Sequence, residues 1–315
     1  MSKLTSTFCI ALAFAPLSTL AQAPAPAPAG PPVVKAGTTI KISEHVFVIP
    51  DELVPMVPNV GIVVGSRATL VIDPGMGIPS GRNVLAEVAK VSQSRELYIV
   101  NTHFHPEHTT GEAAFPATAK VIRAAAQQQD VDEMGMKWVQ TFASRGTVIA
   151  GVLQGVTSFR APAETFEKEK VLDLGGVVAR VIRLGPGHTR GDTVVFVEKD
   201  RVLFSGDLAM KNLFPAFATP QSSARTWLTS LDELARLKAL TVIGAHFPIT
   251  DASVIAEYRN YLTTLQARVG ELKKEGKSAD EAAVQVRGEF AKKYPDWAQP
   301  LRVHPAATVI YAELP

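Results

Sequence analysis

Residues 101–111 read NTHFHPEHTTG, and this stretch sets His103, His105, Glu107 and His108 within six positions. Imidazole nitrogens and carboxylate oxygens bind zinc at about 2.0–2.2 Å. In an extended chain, residues two apart point to the same side, so His103 and His105 can reach one ion together. Pro106 then stops the strand and turns the chain, which directs Glu107 and His108 toward a second position. Three further segments add donors: His188 in RLGPGHTRGD, Asp207 in VLFSGDLAM and His246 in VIGAHFPI. One zinc is satisfied by three protein ligands and a water. The surplus of donors therefore suggests two ions, about 3.5–4 Å apart and sharing an oxygen. His45 and His304 belong to no such segment and are read as unrelated to the site.

The elements that position these donors are legible in the hydrophobic pattern. Leu97–Val100 reads as a buried strand that runs straight into the histidine cluster. A strand ending at Leu184 and a Gly-Pro-Gly turn present His188 from a loop, a buried strand delivers Asp207, and another delivers His246. Strand ends are where loops gather functional groups in α/β architectures. Upstream, TIKISEHVFVI alternates as a strand does, and residues 60–75 form a hairpin joined at GSRA. Residues 81–92 space Val84, Leu85, Val88 and Val91 along one helix face. Residues 121–143 read as a helix with Gly135 as its weak point. Two strand pairs follow, turning at Gly175-Gly176 and at Lys199-Asp200, and residues 222–238, 250–274 and 279–293 read as helices. Strands that arrive as hairpins between helices imply mixed sheets with helices outside.

Composition bounds the function. The chain has 315 residues, of which 46% are hydrophobic and 20% charged, enough to bury a core. A formal net charge of +2 gives no reason to expect nucleic acid or an anionic membrane as partner. The first residues have the pattern of a signal peptide: Lys3, then a short apolar run over Phe8–Leu20, then small residues, with cleavage expected after Ala21. Residues 22–36 read as an Ala/Pro-rich linker and 37–315 as the folded domain. The expected destination is the periplasm or the exterior, with no stable membrane anchor once the signal is removed. The chain's one cysteine, Cys9, lies inside the signal. The mature chain would then hold a metal by imidazole and carboxylate alone. The expected partner is a small-molecule substrate, and the sequence says nothing of oligomeric state.

With these segments in order, the chain resembles the metallo-β-lactamase superfamily. The family's H-x-H-x-D-H motif is matched at His103, His105, Glu107 and His108, with glutamate in place of aspartate. Its G-H-T motif is matched at Gly187-His188-Thr189, its S/G-G-D motif at Ser205-Gly206-Asp207, and its last histidine at His246. The early VIDPG at 71–75 is similar too, where the family's Asp, here Asp73, supports the site, although Asp-Pro-Gly is also ordinary turn chemistry. The resemblance implies an α/β fold, an αβ/βα four-layer sandwich of two mixed β-sheets flanked by helices. It implies one zinc on His103, His105 and His188 and a second on Glu107, His108 and His246, with Asp207 bridging. It also implies hydrolysis of an ester, lactone, amide, β-lactam or related bond by a metal-bound hydroxide.

Glu107 reaches about 1.5 Å further than an aspartate would. Four roles stay open for it: ligand, overshooting neighbour of a weaker second site, general base beside the water, or a helix-start residue favoured by the helix dipole. Asp207 fits the bridging position of the broader hydrolases, where the β-lactamase subclasses carry cysteine or serine. Alternative readings are a true class B β-lactamase, a mononuclear iron oxygenase of the same fold, and a non-catalytic periplasmic metal- or partner-binding protein. Trp138, Trp227 and the phenylalanines of LFPAF read as core, with a pocket wall as the alternative for LFPAF because it follows Asp207 directly, and residues 130–165 and 208–220 read as the segments that would set specificity.

Overall fold

The computed structural model describes residues 30–315. The expected signal peptide, and residues 22–29 of the expected linker, lie outside the described residues. Within them the chain forms two mixed sheets. The first has the order β1 (Ile40–Lys41), β2 (Val46–Ile49), β3 (Val60–Val64), β4 (Ala68–Ile72), β5 (Glu96–Val100), β6 (Lys120–Ala124) and β7 (Glu164–Phe166). Strands β1 to β4 pair antiparallel, and β4 to β7 pair parallel. The second sheet comprises β8 (Glu169–Asp173), β9 (Val178–Arg183), β10 (Thr193–Val197), β11 (Val202–Gly206), β12 (Thr241–Gly244) and β13 (Thr250–Asp251), side by side in that order. All its pairings are antiparallel except β11 with β12.

Strands β4, β10 and β11 are buried at every position, which explains their unbroken apolar runs. Val63, Leu70, Ile72 and Val100 of the first sheet pack against Val181, Val195, Val202 and Phe204 of the second. The outer face of the first sheet is covered by α1 (Gly77–Val91), whose Val84 and Val88 meet Ile62, Val71 and Ile99. The outer face of the second sheet is covered by α6 (Ala224–Arg236) and α7 (Ser253–Lys274), whose Trp227, Leu231, Tyr258 and Leu262 join Val194, Phe196, Leu203 and Val242. Helices α8 (Ala279–Lys293) and α9 (Val303–Glu313) extend that same core. The layers are therefore helix, sheet, sheet, helix, as the resemblance implies. Among the described residues no helix is long and apolar enough to cross a membrane.

Two sequence expectations change. Residues 120–124 are strand β6 and not the start of a helix over 121–143. Val121 faces α1 while Ile122 faces the other sheet, so both faces of this interior parallel strand are buried. A short run buried on both sides has no period that distinguishes strand from helix. The rest of the segment is α3 (Ala125–Asp130), a π-helical turn over Val131–Gly135, and α4 (Met136–Ala143), so Gly135 does mark a break. Ordered packing also begins ahead of residue 37: Val34 is fully buried, donates to Ser80 Oγ at 3.2 Å and accepts from Asn83 Nδ2 at 2.8 Å. Helix α5 (Thr147–Val152), helix α9 and the short helical turn at Pro300–Arg302 had no expectation attached.

Candidate metal centre

The donors converge where the strands of both sheets end. After β5, the chain crosses through Asn101 and Thr102 to His103 and His105, and the short helix α2 (Pro106–Thr109) starts at once. This turn is pinned by its own polar groups. Thr109 Oγ1 donates to the His105 carbonyl at 2.9 Å, Thr110 Oγ1 to Pro106 at 2.6 Å, and Asn101 Nδ2 to His108 at 3.1 Å. Asp207 leaves β11 just past a register shift against β12. Gly206 has φ +56, and a Cβ there would lie 2.7 Å from Thr102 Cβ, so only glycine lets the ends of β5 and β11 meet. His188 sits in the β9–β10 loop, which closes on Asp192: that carboxylate accepts from Thr189 N at 2.9 Å, Thr189 Oγ1 at 2.6 Å and Gly187 N at 3.1 Å.

The distances also fit ligands gathered around one ion. His103 Nε2 lies 3.0 Å from His105 Nδ1, which lies 3.2 Å from His188 Nε2. Two donors bound tetrahedrally at 2.0–2.1 Å are about 3.3 Å apart. Asp207 turns its two oxygens to different groups. Its Oδ2 is 3.6 Å from His188 Nε2, while its Oδ1 is 3.9 Å from both His108 Nε2 and His246 Nε2. Donor atoms of Glu107, His108 and His246 all lie within 4.8 Å of one another, as do those of His103, His105 and His188. Six of the seven side chains are buried, and His246 is partly so. Among the described residues the buried atoms His108 Nε2, Glu107 Oε2 and Asp207 Oδ1 have no hydrogen-bond partner. An orphaned buried polar atom costs about 1–3 kcal/mol. Three of them facing one point fit a cation.

The outward ring nitrogens of His108, His188 and His246 are held, so that their inward ones face the centre, whereas the outward Nε2 of His105 has no partner among the described residues. His108 Nδ1 lies 3.0 Å from Asp73 Oδ2, and Asp73 also accepts from Thr102 N at 2.7 Å and Thr102 Oγ1 at 2.8 Å. Asp73 has φ +54, the left-handed conformation that aspartate tolerates. It thus combines turn chemistry with support of the site. His188 Nδ1 donates to the Ala216 carbonyl, and His246 Nδ1 to the Val57 carbonyl at 2.9 Å. A carbonyl accepts only, so these partners keep the Nε2 lone pairs turned to the centre. His105 turns Nδ1 inward, and its ring lies against Trp138 with centroids 4.3 Å apart.

Burial, and then the neighbouring histidines, push His103 and His105 well below the usual imidazole range, which leaves them neutral. His108 behaves oppositely: burial pushes it down, but the charges of Asp73, Asp207 and Glu107 outweigh this and raise it to about 9. Burial raises Asp207, yet the surrounding His246, His188 and His108 bring its carboxyl below the ordinary value.

His105, Glu107, His188, Asp207 and His246 floor a cleft of about 500 Å³. Val54, Met56, Trp138, Phe142, Ile149 and Leu213 line its walls, together with the cations Arg145 and Arg302. Trp138 is therefore a wall of the site and not simply core, a correction that follows from its place on the cleft face of α4. Trp227 is core, with Nε1 donating to the Leu208 carbonyl at 2.9 Å. Phe214 and Phe217 are buried, while Leu213 and Ala216 of the same stretch reach the cleft. His45 pairs with Asp200 at 2.9 Å and His304 lies 3.5 Å from Asp280, both outside the centre. Arg145, Gln299 and Arg302 carried no signal in the sequence, because nothing local marks a cation that long-range packing brings to a cleft.

Known proteins match this chain in both sequence and shape. The linear primary-alkylsulfatase of a Pseudomonas species is 23% identical over 214 residues, 56% of this chain and 39% of that protein. The acyl-coenzyme A thioesterase MBLAC2 of Gallus gallus is 25% identical over 195 residues, 57% of this chain and 67% of that protein. This chain thus spans about two fifths of the sulfatase's length. The solved structure of the inverting sec-alkylsulfatase Pisa1 from Pseudomonas sp. superposes with a TM-score of 0.66 at 16% identity, over 87% of this chain and 50% of that one. The sequence model of the metallo-beta-lactamase superfamily matches residues 53–246, a stretch that contains every donor described above. With the layers, the donor order and this match in agreement, the chain belongs to the metallo-beta-lactamase superfamily.

Proposed function

We propose that the protein is an exported, dinuclear zinc hydrolase that opens an ester-type bond in a small molecule. The observation that carries this reading is the placement of Asp207, whose Oδ2 faces His188 while its Oδ1 faces His108 and His246. His103, His105 and His188 would hold one zinc and Glu107, His108 and His246 the other, with Asp207 shared. Glu107 belongs with the ligands because its buried Oε2 has no hydrogen-bond partner among the described residues and one of its carboxylate oxygens lies within 4.8 Å of donor atoms of His108 and His246. When bound, zinc supplies Lewis acidity: it acidifies water and polarises the oxygen of the scissile group.

The chain's own residues do the rest. Asp73, the Ala216 carbonyl and the Val57 carbonyl aim three imidazoles at the centre. Trp138, Phe142 and Ile149 keep bulk water from one side of the cleft and offer an apolar substrate body a surface. The names of the two curated relatives, an alkylsulfatase and an acyl-CoA thioesterase, support ester-type chemistry. The signal-like residues 1–21 support export.

The test is metal analysis of the purified protein with a substrate panel. The panel holds alkyl sulfate, thioester, carboxylic ester, lactone and cephalosporin, each run with zinc, with iron and with chelator. The expected result is two zinc ions per chain and turnover that chelator abolishes and zinc restores. Clearly less than one zinc per chain, or inertness across the panel, overturns the proposal. Oxygen consumption by an iron-loaded preparation would replace it with an oxygenase.

A further inference from the structure

The segment between α8 and α9 crosses back to the cleft. Ala298 forms a parallel bridge with Leu213, donates to the Asn212 carbonyl at 2.8 Å and accepts from Phe214 N at 3.2 Å. Gln299 then turns the chain at φ +61, a conformation that a residue with a side chain adopts at some cost. The turn brings Gln299 and Arg302 to the cleft beside Asp207 and His246. Both lie beyond residue 246, where the superfamily sequence match ends.

Arg302 is half-buried, and its side chain bonds to a neutral group, the Phe214 carbonyl, at 3.1 Å. Arg145, the other cation of the cleft, lies over the Phe142 ring with its guanidinium carbon 3.8 Å from the centroid. Its charge is thus spread along the apolar wall. Arg302 lines the same cleft as His105, Glu107, Asp207 and His246. A guanidinium that is partly desolvated and bonded to a single carbonyl still has a fork of N–H donors to offer, and it suits a planar or tetrahedral oxyanion. The cleft also exposes a large apolar side chain: Leu53, in the cleft lining, is 65% exposed.

We propose that Arg302, presented beside Gln299 by the α8–α9 connection, is the substrate-positioning residue of this cleft. It receives an anionic group on a substrate whose apolar body lies against Met56, Trp138, Phe142 and Ile149. This rests on the hydrolase reading and deepens it: the substrate class is an amphiphilic anion.

The experiment is calorimetric titration of the full chain, zinc-loaded and chelator-treated, with octanesulfonate, octanoate and neutral 1-octanol. Wild-type protein should prefer the anions in both states, and the preference should shrink as salt is raised. Comparison of sulfonate with carboxylate shows which oxyanion the site takes. In Arg302→Gln the anions should weaken about 10- to 100-fold, the range for hydrogen bonds to a charged group, and octanol much less. Arg302→Lys keeps the charge and should recover part of the loss. It also tests the idea should the glutamine variant fail to fold. Equal losses for anions and octanol, or a chelator-treated wild type with no preference for anions, would overturn the assignment. Inertness of the zinc-loaded protein across the substrate panel, with anion preference intact, would instead remove the hydrolase reading and leave the anion site standing.

Discussion

The sharpest consequence of the centre's geometry concerns a residue that touches no metal. The Asp73 carboxylate accepts from Thr102 N, Thr102 Oγ1 and His108 Nδ1, at 2.7, 2.8 and 3.0 Å. Asp73→Asn keeps the volume, and asparagine tolerates the left-handed backbone at φ +54. Its Oδ1 can still accept from Thr102 N. Its amide group, however, donates toward His108 Nδ1. That ring nitrogen must then accept, and the ring proton moves to Nε2, the atom that faces Glu107, His246 and Asp207. The lone pair needed by a metal is lost unless the new hydrogen bond is broken. The charge-assisted bond given up is worth about 1.5–3 kcal/mol, or about 10- to 100-fold in affinity. Competition with a chromophoric chelator should show two binding phases in the wild type. In Asp73→Asn the phase assigned to Glu107, His108 and His246 should weaken by that factor, while the phase assigned to His103, His105 and His188 shifts less than about threefold. Two unshifted phases would refute the claim that Asp73 sets the His108 tautomer.

Further outcomes follow from the same groups. With His108 raised to about 9, a metal entering its set must expel a proton. Affinity at pH 7 should then lie about 100-fold below its plateau and rise about tenfold per pH unit until about pH 9, with proton release visible in weakly buffered solution. The same shift bears on the stability of chelator-treated protein. A folded-state value above 6.5 contributes fully below pH 6.5 and is lost as pH rises through about 9, a change of up to about 3 kcal/mol. A urea midpoint that stays level across that window would contradict this. Glu107→Gln removes the charge of a ligand whose Oε2 has no protein partner, and it should lower second-set affinity more than tenfold along with turnover. Full activity would reduce Glu107 to a helix-start residue. Arg123→Met strands the buried Glu112 carboxylate, now 3.2 Å from Arg123, and should cost about 3–5 kcal/mol in urea unfolding. A loss below about 1 kcal/mol would show that Arg160, which donates its backbone N–H to Glu112 at 2.7 Å, suffices.

The sequence by itself determined the donors and the elements that carry them. His103 and His105 are readable from their spacing just past an apolar run, although β5 ends at Val100 and a bend over 102–104, not a strand, brings the pair together. Asp207 and His246 are readable because apolar runs end at them. The hairpin turns at Gly175-Gly176 and Lys199-Asp200, and helix α8 over 279–293, were legible for the same reason: local pattern and turn chemistry coincide with the fold. Strand β6 was not, because its two faces are buried by partners far away in sequence and its five residues have no period of their own. The chain's order also left the role of Glu107 open, since its reach depends on how α2 meets β12. Only the tertiary structure decided that Glu107 stands with His108 and His246, that Asp73 holds His108, that Trp138 backs His105, and that Arg302 enters the cleft. Each of these is a contact between segments that no spacing rule links, and each exists because burying both sheets brings their strand ends to one edge.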